Sequence, residues 1–212
     1  MNRAAAVAIG AVSGLAWAAA LRAWMSEIAG ILSTFSWGTF VAVLLPGLLI
    51  GASFGWAWTV PPDTSPSTRR GLRWCAAAPV LFAVFPLLRP GALVDFLTSG
   101  LGGGAFMVAG LALAGGYALG GRRTWARWVC GVLALGFIAI GALFVGPLLG
   151  GDRLALTDPE GAWVAVLDVS LLVVLCLASS IPFRRLAASA DPERPAAAPA
   201  STAQVDARSA GE

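Results

Sequence analysis

Residues Thr39–Trp58 read TFVAVLLPGLLIGASFGWAW, a run of 20 residues that contains no charged side chain. An α-helix of about 20 apolar residues is long enough to cross a hydrocarbon core roughly 30 Å thick. Gly47, Gly51 and Gly55 are spaced four apart, so they form a flat strip on one helical face where another helix can approach closely. Pro46 predicts a kink beside that strip. The stretch therefore predicts a membrane-spanning helix that packs tightly against a neighbouring helix.

Apolar stretches of this kind recur along the chain. Hydrophobic residues make up 58% of the sequence and charged residues only 12%, whereas soluble domains carry about 25% charged residues. We therefore predict an all-α integral membrane bundle over residues 1–186. Its six transmembrane helices are predicted at Ala4–Leu21, Thr39–Trp58, Trp74–Leu88, Ala105–Gly120, Trp128–Leu149 and Ala162–Ile181. Residues 187–212, rich in Ala, Pro and Ser, cannot offset the entropy of ordering and are predicted to be a disordered cytoplasmic tail.

The first apolar stretch has two interpretations. Met1–Leu21 could be a secretory signal peptide, because an Arg precedes an apolar run that ends in small residues. However, the run contains Trp17 and continues into Arg22 and Trp24 without a clear cleavage boundary, which favours a retained span.

The arginines indicate the orientation of the bundle. With six spans and a cytoplasmic N-terminus, 11 of the 14 basic residues, all of them Arg, lie on the cytoplasmic side. Arg22, Arg89 and Arg153 are left on the outer side. Because basic residues favour cytoplasmic loops, we predict that both termini are cytoplasmic.

Two links on the outer side contain apolar residues at helical spacing. Trp24, Ile28 and Phe35 belong to the first, which predicts a short helix after the first span that either lies in the interface or only connects two spans. The second contains Asp95 and adjoins the Gly-rich residues 100–104. Those glycines could be the turn of a re-entrant segment or a flexible connector, and the connector is favoured.

Asp168 is the one acidic residue well inside an apolar stretch. It is predicted about six residues into the sixth span, roughly 10 Å deep, where an unpaired carboxylate costs on the order of a few kcal/mol. An ion pair with an outer Arg would satisfy it, and a contact with Arg22 is the sharpest such prediction. Proton or cation coupling is the functional alternative. Arg22 and Glu27 are five residues apart and point in different directions on a helix. The candidate polar site comprises Asp168, Arg22, Arg89 and Glu27.

The predicted helix-packing residues lie in two spans. The strip of Gly47, Gly51 and Gly55 is expected to meet a ridge of small residues in the fourth span. That ridge includes Ala109, Ala112 and Gly116. The residues from Gly51 to Gly55 also match the G-x-S-x-G pattern of a catalytic serine, but Ser53 lies within a predicted helix and the chain has no His. Helix packing explains the pattern better.

Several classes of function have no support in the sequence. The absence of His removes the commonest general base and transition-metal ligand, and a lone intramembrane Asp cannot form an aspartic-protease pair. Cys75, Cys130 and Cys176 lie in apolar stretches without C-x-x-C spacing. We therefore predict no catalytic residue, metal or cofactor, and no nucleic-acid partner.

The run from Arg22-Ala-Trp24-Met25 to Phe35-Ser36-Trp37-Gly38-Thr39 resembles one in uncharacterised multi-pass membrane proteins of high-GC bacteria. The resemblance covers under a fifth of the chain. It implies a bacterial plasma membrane and carries no activity with it.

Three hypotheses of function remain. The first is a non-enzymatic binding or assembly component that contacts the lipid bilayer and a membrane-protein partner or a second copy of itself. The second is a small-solute or proton-coupled transporter that uses Asp168. The third is a lipid-modifying enzyme in which Glu27, Asp95, Arg22 and Arg89 meet at the headgroup level.

Overall fold

The chain forms an up-and-down arrangement of helices. The computed structural model describes residues 2–30, 33, 35–88 and 103–190. We number the helices α1 (Arg3–Ala29), α2 (Trp37–Trp58), α3 (Pro66–Leu87), α4 (Gly103–Gly120), α5 (Thr124–Leu154) and α6 (Pro159–Ala188). Five of them are long and apolar enough to cross a membrane, and α4 is a shorter apolar helix. The predicted all-α architecture is thus confirmed.

Two helices widen into a π-helical segment just before a proline. In α2 the segment is Phe40–Leu44, followed by Pro46, and in α5 it is Gly141–Val145, followed by Pro147. Proline lacks the backbone N–H, and its ring collides with the carbonyl four residues earlier in a regular α-helix. A wider π turn accommodates this collision. The irregularity predicted at Pro46 therefore takes the form of a π segment.

The short helix predicted after the first span is wrong over the described residues. Helix α1 continues without a break through Ala29 and ends at Gly30, whose φ is 54°. Trp24 is part of this helix, and Ile28 packs against the buried Leu154 and Val164. Nothing in the sequence between Leu21 and Gly30 stops a helix, so the apolar spacing belongs to α1 itself.

Helix α3 begins eight residues before the predicted start of the third span. Ser65 is its N-cap and accepts a hydrogen bond from the Thr68 amide, and Pro66 occupies the first turn. Serine followed by proline is a strong helix start. The basic residues Arg69, Arg70 and Arg73 therefore lie on the helix rather than in a loop, and the expected short span is a helix of 22 residues.

The glycine strip of α2 packs on α1 rather than on α4. A Cβ atom added at Gly51 would lie 2.8 Å from Gly14 Cα, and one added at Gly55 would lie 2.9 Å from the Ala6 carbonyl carbon. Helix α1 carries its own strip of small residues four apart, at Ala6, Gly10, Gly14 and Ala18. The two backbones approach closely because neither strip has a side chain larger than a methyl group.

The small-residue ridge of α4 packs instead against α6. Ala109 and Ala112 are buried, and a Cβ atom added at Gly116 would lie 2.9 Å from Ser179 Cβ. Helix α6 therefore lies between the α1–α2 pair on one side and α4 on the other. Helix α5 is peripheral, and Ala134 is the one buried residue of its Thr124–Ile140 portion.

Candidate functional site

The antiparallel helices bring most arginines to one end of the bundle, which we call the Arg end. Here α2 meets α6, because Arg185 Nη2 donates to the Trp58 carbonyl at 2.7 Å. Gly120, the last residue of α4, lies beside Ser180 and Arg184. Nine described arginines lie at the helix termini of this end, namely Arg3, Arg69, Arg70, Arg73, Arg122, Arg123, Arg127, Arg184 and Arg185.

Asp168 is buried in α6 against α5. Only 4% of its surface is exposed, and its Oδ2 has no hydrogen-bond partner among the described residues. It stands nine residues after Pro159, about 14 Å along the helix, because α6 begins before the predicted start of the sixth span. Its carboxylate faces Gly141, where an added Cβ atom would lie 2.5 Å from Oδ2. Asp168 therefore lies where the π segment of α5 begins.

The predicted contact between Arg22 and Asp168 is wrong. Arg22 Nη2 donates to Ser33 Oγ at 3.0 Å, and its guanidinium lies over the Phe35 ring at 5.5 Å from the centroid. Trp17 and Trp24 of α1 both contact α6; they are seven residues apart and so lie on one side of the helix. Arg22 is two residues from Trp24 and points to a different side.

The candidate polar residues that the structure describes do not assemble around Asp168. Arg89 and Asp95 lie outside the described residues. Arg153 reaches Glu27, donating from Nη2 to its backbone carbonyl at 2.7 Å, and it also forms an ion pair with the exposed Glu160.

Two tryptophans anchor α1 to α6. Trp17 Nε1 donates to the Leu171 carbonyl at 2.9 Å, and Trp24 Nε1 donates to the Val164 carbonyl at 3.2 Å. Their seven-residue spacing was the available signal, since it places both indoles on one helical face. The two acceptor residues, Val164 and Leu171, lie on either side of Asp168 along α6.

An apolar cleft of about 320 Å³ lies between α1, α2, α3 and α6. Its floor includes the buried Ile50, Phe54 and Phe82. Its rim is formed mainly by Ile9, Ser13, Trp17, Trp58, Val174, Ala178 and Ile181. The glycines of the α1–α2 contact also line it. Because glycines carry no side chains, the close pairing of α1 and α2 leaves this space beside α6 open.

A second, basic cleft of about 1150 Å³ opens at the Arg end. Four arginines and one acid, Asp63, line it, giving a formal charge of +3. The arginines are Arg69, Arg122, Arg127 and Arg184. Arg69 donates to the Ser189 carbonyl, and Arg127 Nε donates to the Ala118 carbonyl at 2.9 Å. No ion pair between described residues neutralises these guanidinium groups.

A third hollow, of about 430 Å³, shares lining residues with both clefts. It shares Trp58 and Ile181 with the apolar cleft, and Arg184 and Ala188 with the basic cleft. Arg185 covers this junction, with its guanidinium 5.5 Å from the centroid of the Trp58 ring. The surface thus changes from apolar to basic along one face of α6.

Two kinds of site considered from the sequence can be compared with the described residues. Within them, no group of three His, Cys, Asp or Glu side chains is placed to hold a metal ion. Ser53 lies within a helical turn and donates to the Ile50 carbonyl at 2.7 Å. Comparison with protein-family models, with curated proteins and with solved structures finds no match for this chain.

Proposed function

We propose that this protein is a non-enzymatic binding component of a bacterial plasma membrane, and that it holds the acyl chain of a membrane lipid in the apolar cleft. The supporting observation is the cleft itself, formed by four helices and lined almost entirely by apolar side chains. In this proposal all six helices span the membrane. The Arg end and both termini are cytoplasmic, since basic residues favour that side.

The size and chemistry of the apolar cleft favour an acyl chain over a polar solute. Its volume of about 320 Å³ is at the lower end of the range for ligand pockets. Ser13 supplies the one hydroxyl of its lining, so a polar solute would lose hydrogen bonds to water without replacing them. Lipid tails surround a spanning bundle and need no such partners.

The glycine strip supports this binding role in a different way from the one expected. It does not present a surface to another protein, because Gly47, Gly51 and Gly55 are covered by α1. Its contribution is to keep α1 and α2 close together, which shapes the cleft.

A pair of adjacent substitutions tests the proposal. Ser13→Trp places an indole in the apolar cleft, whereas Val12→Trp places the same group on a neighbouring position that is 68% exposed and does not line the cleft. Native mass spectrometry of protein extracted gently from its membrane should show a retained lipid in the wild type and in Val12→Trp, and loss of that lipid in Ser13→Trp. Far-UV circular dichroism checks that both variants are folded.

Two results would count against acyl-chain binding. The first is a wild-type protein that retains no lipid under conditions where the fold persists. The second is equal retention by Ser13→Trp and Val12→Trp.

A coupled transporter is the second candidate, supported by the buried and unpartnered Asp168 Oδ2. A carboxylate at such a position inside a membrane is costly and is commonly part of an ion or proton pathway. In proteoliposomes, Asp168→Asn should abolish any proton flux that the wild type carries. Unchanged fluxes in Asp168→Asn would exclude coupling through this residue. We do not propose a lipid-modifying activity, because Arg89 and Asp95 lie outside the described residues and Arg22 contacts Ser33 and Phe35.

A further inference from the structure

The described lining of the basic cleft carries a net positive charge. Four arginines meet there, and Asp63 is the one acidic residue among the described residues of its lining. Arg122 and Arg184 are exposed, so both guanidinium groups can reach an added anion. Guanidinium groups bind phosphate well because their planar donors match its oxygens.

Two buried polar atoms in the basic cleft also lack partners. They are Arg69 Nε and Thr64 Oγ1, for which the described residues supply no hydrogen bond. Arg69 is held in place because another of its nitrogens donates to the Ser189 carbonyl. Buried donors without acceptors are rare in folded proteins. A phosphate group in the cleft would bring acceptor oxygens close to these two atoms.

The basic cleft lies at the depth of lipid headgroups in the proposed orientation. Four exposed tryptophans surround the same end of the bundle, at Trp58, Trp74, Trp125 and Trp128. Tryptophans concentrate at the interface between membrane and water. Basic clefts between helices at the cytoplasmic interface are a recurring way to hold anionic headgroups.

We propose that the basic cleft binds the phosphate group of an anionic membrane lipid, and that the acyl chain of the same lipid lies in the apolar cleft. The second half of this inference rests on the proposed function, whereas the first half does not. Arg184 lines the basic cleft and Ala178 the apolar cleft. They are six residues apart, or about 9 Å along α6, so one amphiphilic molecule can span both.

The positive charge selects against zwitterionic lipids. A phosphatidylcholine headgroup carries a quaternary ammonium group that the arginines repel, whereas phosphatidylglycerol carries only the phosphate charge. The apolar surface near the basic cleft, at Trp58 and Ile181, favours a lipid over free phosphate. A lipid can bury its acyl chain against this surface, whereas inorganic phosphate has no apolar part to bury.

The experiment compares two lipids that have identical acyl chains. Full-length protein is placed in nanodiscs containing equal amounts of dioleoyl phosphatidylglycerol and dioleoyl phosphatidylcholine, and retained lipids are identified by native mass spectrometry. The test variant is the double substitution Arg122→Gln and Arg184→Gln. The control is Arg70→Gln with Arg123→Gln, which removes the same charge at the same end from positions that do not line the basic cleft.

We expect phosphatidylglycerol to be retained about tenfold more than phosphatidylcholine by the wild type and by the control. The test variant should lose most of that preference, because each basic side chain beside an anionic headgroup contributes roughly a fivefold factor. A wild type without preference, or equal losses in the test and control variants, would overturn the headgroup site. If the wild type shows no preference for phosphatidylglycerol while Ser13→Trp still releases lipid, the headgroup site is overturned and the acyl-chain proposal stands alone.

A second arm separates the lipid from free phosphate. Inorganic phosphate is added without phosphatidylglycerol, and the thermal unfolding of the protein is followed. We expect phosphate to stabilise the wild type much less than phosphatidylglycerol does. Equal stabilisation by phosphate, abolished in the Arg122→Gln and Arg184→Gln variant, would assign the cleft to free phosphate and overturn its assignment to a lipid.

Discussion

Substitution of Gly51 by Ala should destabilise the protein, because the methyl group has no space between α1 and α2. The added Cβ atom would lie 2.8 Å from Gly14 Cα and closer still to the Gly10 carbonyl oxygen. Carbon atoms in ordinary contact are about 3.5–4.0 Å apart. The obstructing atoms belong to the backbone, so no side-chain rotation relieves the clash and the helices must separate by about 1 Å.

The loss of stability expected for Gly51→Ala is the difference between two opposing effects. Overpacking of a close contact costs about 1–3 kcal/mol, and a backbone-to-backbone clash belongs at the upper end. Alanine recovers about 1 kcal/mol through its higher helix propensity. We therefore expect Gly51→Ala to lower the free energy of unfolding by about 2 kcal/mol.

Gly136→Ala is the matched control. Gly136 lies in α5, where an added Cβ atom meets nothing within 4 Å, so only the gain in propensity of up to about 1 kcal/mol applies. The two variants should thus shift stability in opposite directions in a denaturant titration in mixed micelles, followed by circular dichroism. If Gly51→Ala proves as stable as Gly136→Ala, the tight α1–α2 contact is refuted.

Three further predictions use the same titration. Trp17→Phe removes the hydrogen bond to the Leu171 carbonyl and should cost about 1 kcal/mol, whereas Trp163→Phe, at an exposed position, should change stability by less than about 0.5 kcal/mol. Gly141→Ala should lower the free energy of unfolding by about 1–3 kcal/mol, because the added methyl group meets the Asp168 carboxylate. The loss should be much smaller in a protein that already carries Asp168→Ala. If the losses of the two substitutions simply add, the carboxylate does not face Gly141. Glu160→Gln breaks an exposed ion pair with Arg153 and should cost at most about 1 kcal/mol, a loss that should disappear at high salt.

The positions of the helices could be predicted from local sequence patterns, whereas the predicted ends of two helices were wrong. Apolar stretches indicated where each helix lies, because an apolar run of that length has few other stable states in a membrane. The Ser65-Pro66 start of α3 and the uninterrupted run from Leu21 to Gly30 were readable as helix signals. The first was assigned to a loop and the second to a separate helix after the first span, because polar and basic residues were taken to end each span, although helices carry such residues at their termini.

Which helices contact one another was harder to predict from the sequence. Gly47, Gly51 and Gly55 indicated a close contact, but any helix with small residues four apart could have met them. The strip on α1 has the same spacing as the one on α2, and the short connection between these two helices favours it. Similarly, Arg22 and Asp168 lie at comparable depths, yet the direction of each side chain depends on which face of α1 meets α6.

By itself, the sequence determined the all-α architecture, the presence of several helices long and apolar enough to cross a membrane, and the small-residue strip of α2. These properties depend on residues near one another in the chain, namely apolar length and helical spacing. Only the tertiary structure decided that α1 covers the strip, that Asp168 faces Gly141, and that an apolar cleft adjoins a basic one. Each of these depends on which helix faces meet across long separations in the chain, and many arrangements of similar helices satisfy the same local pattern.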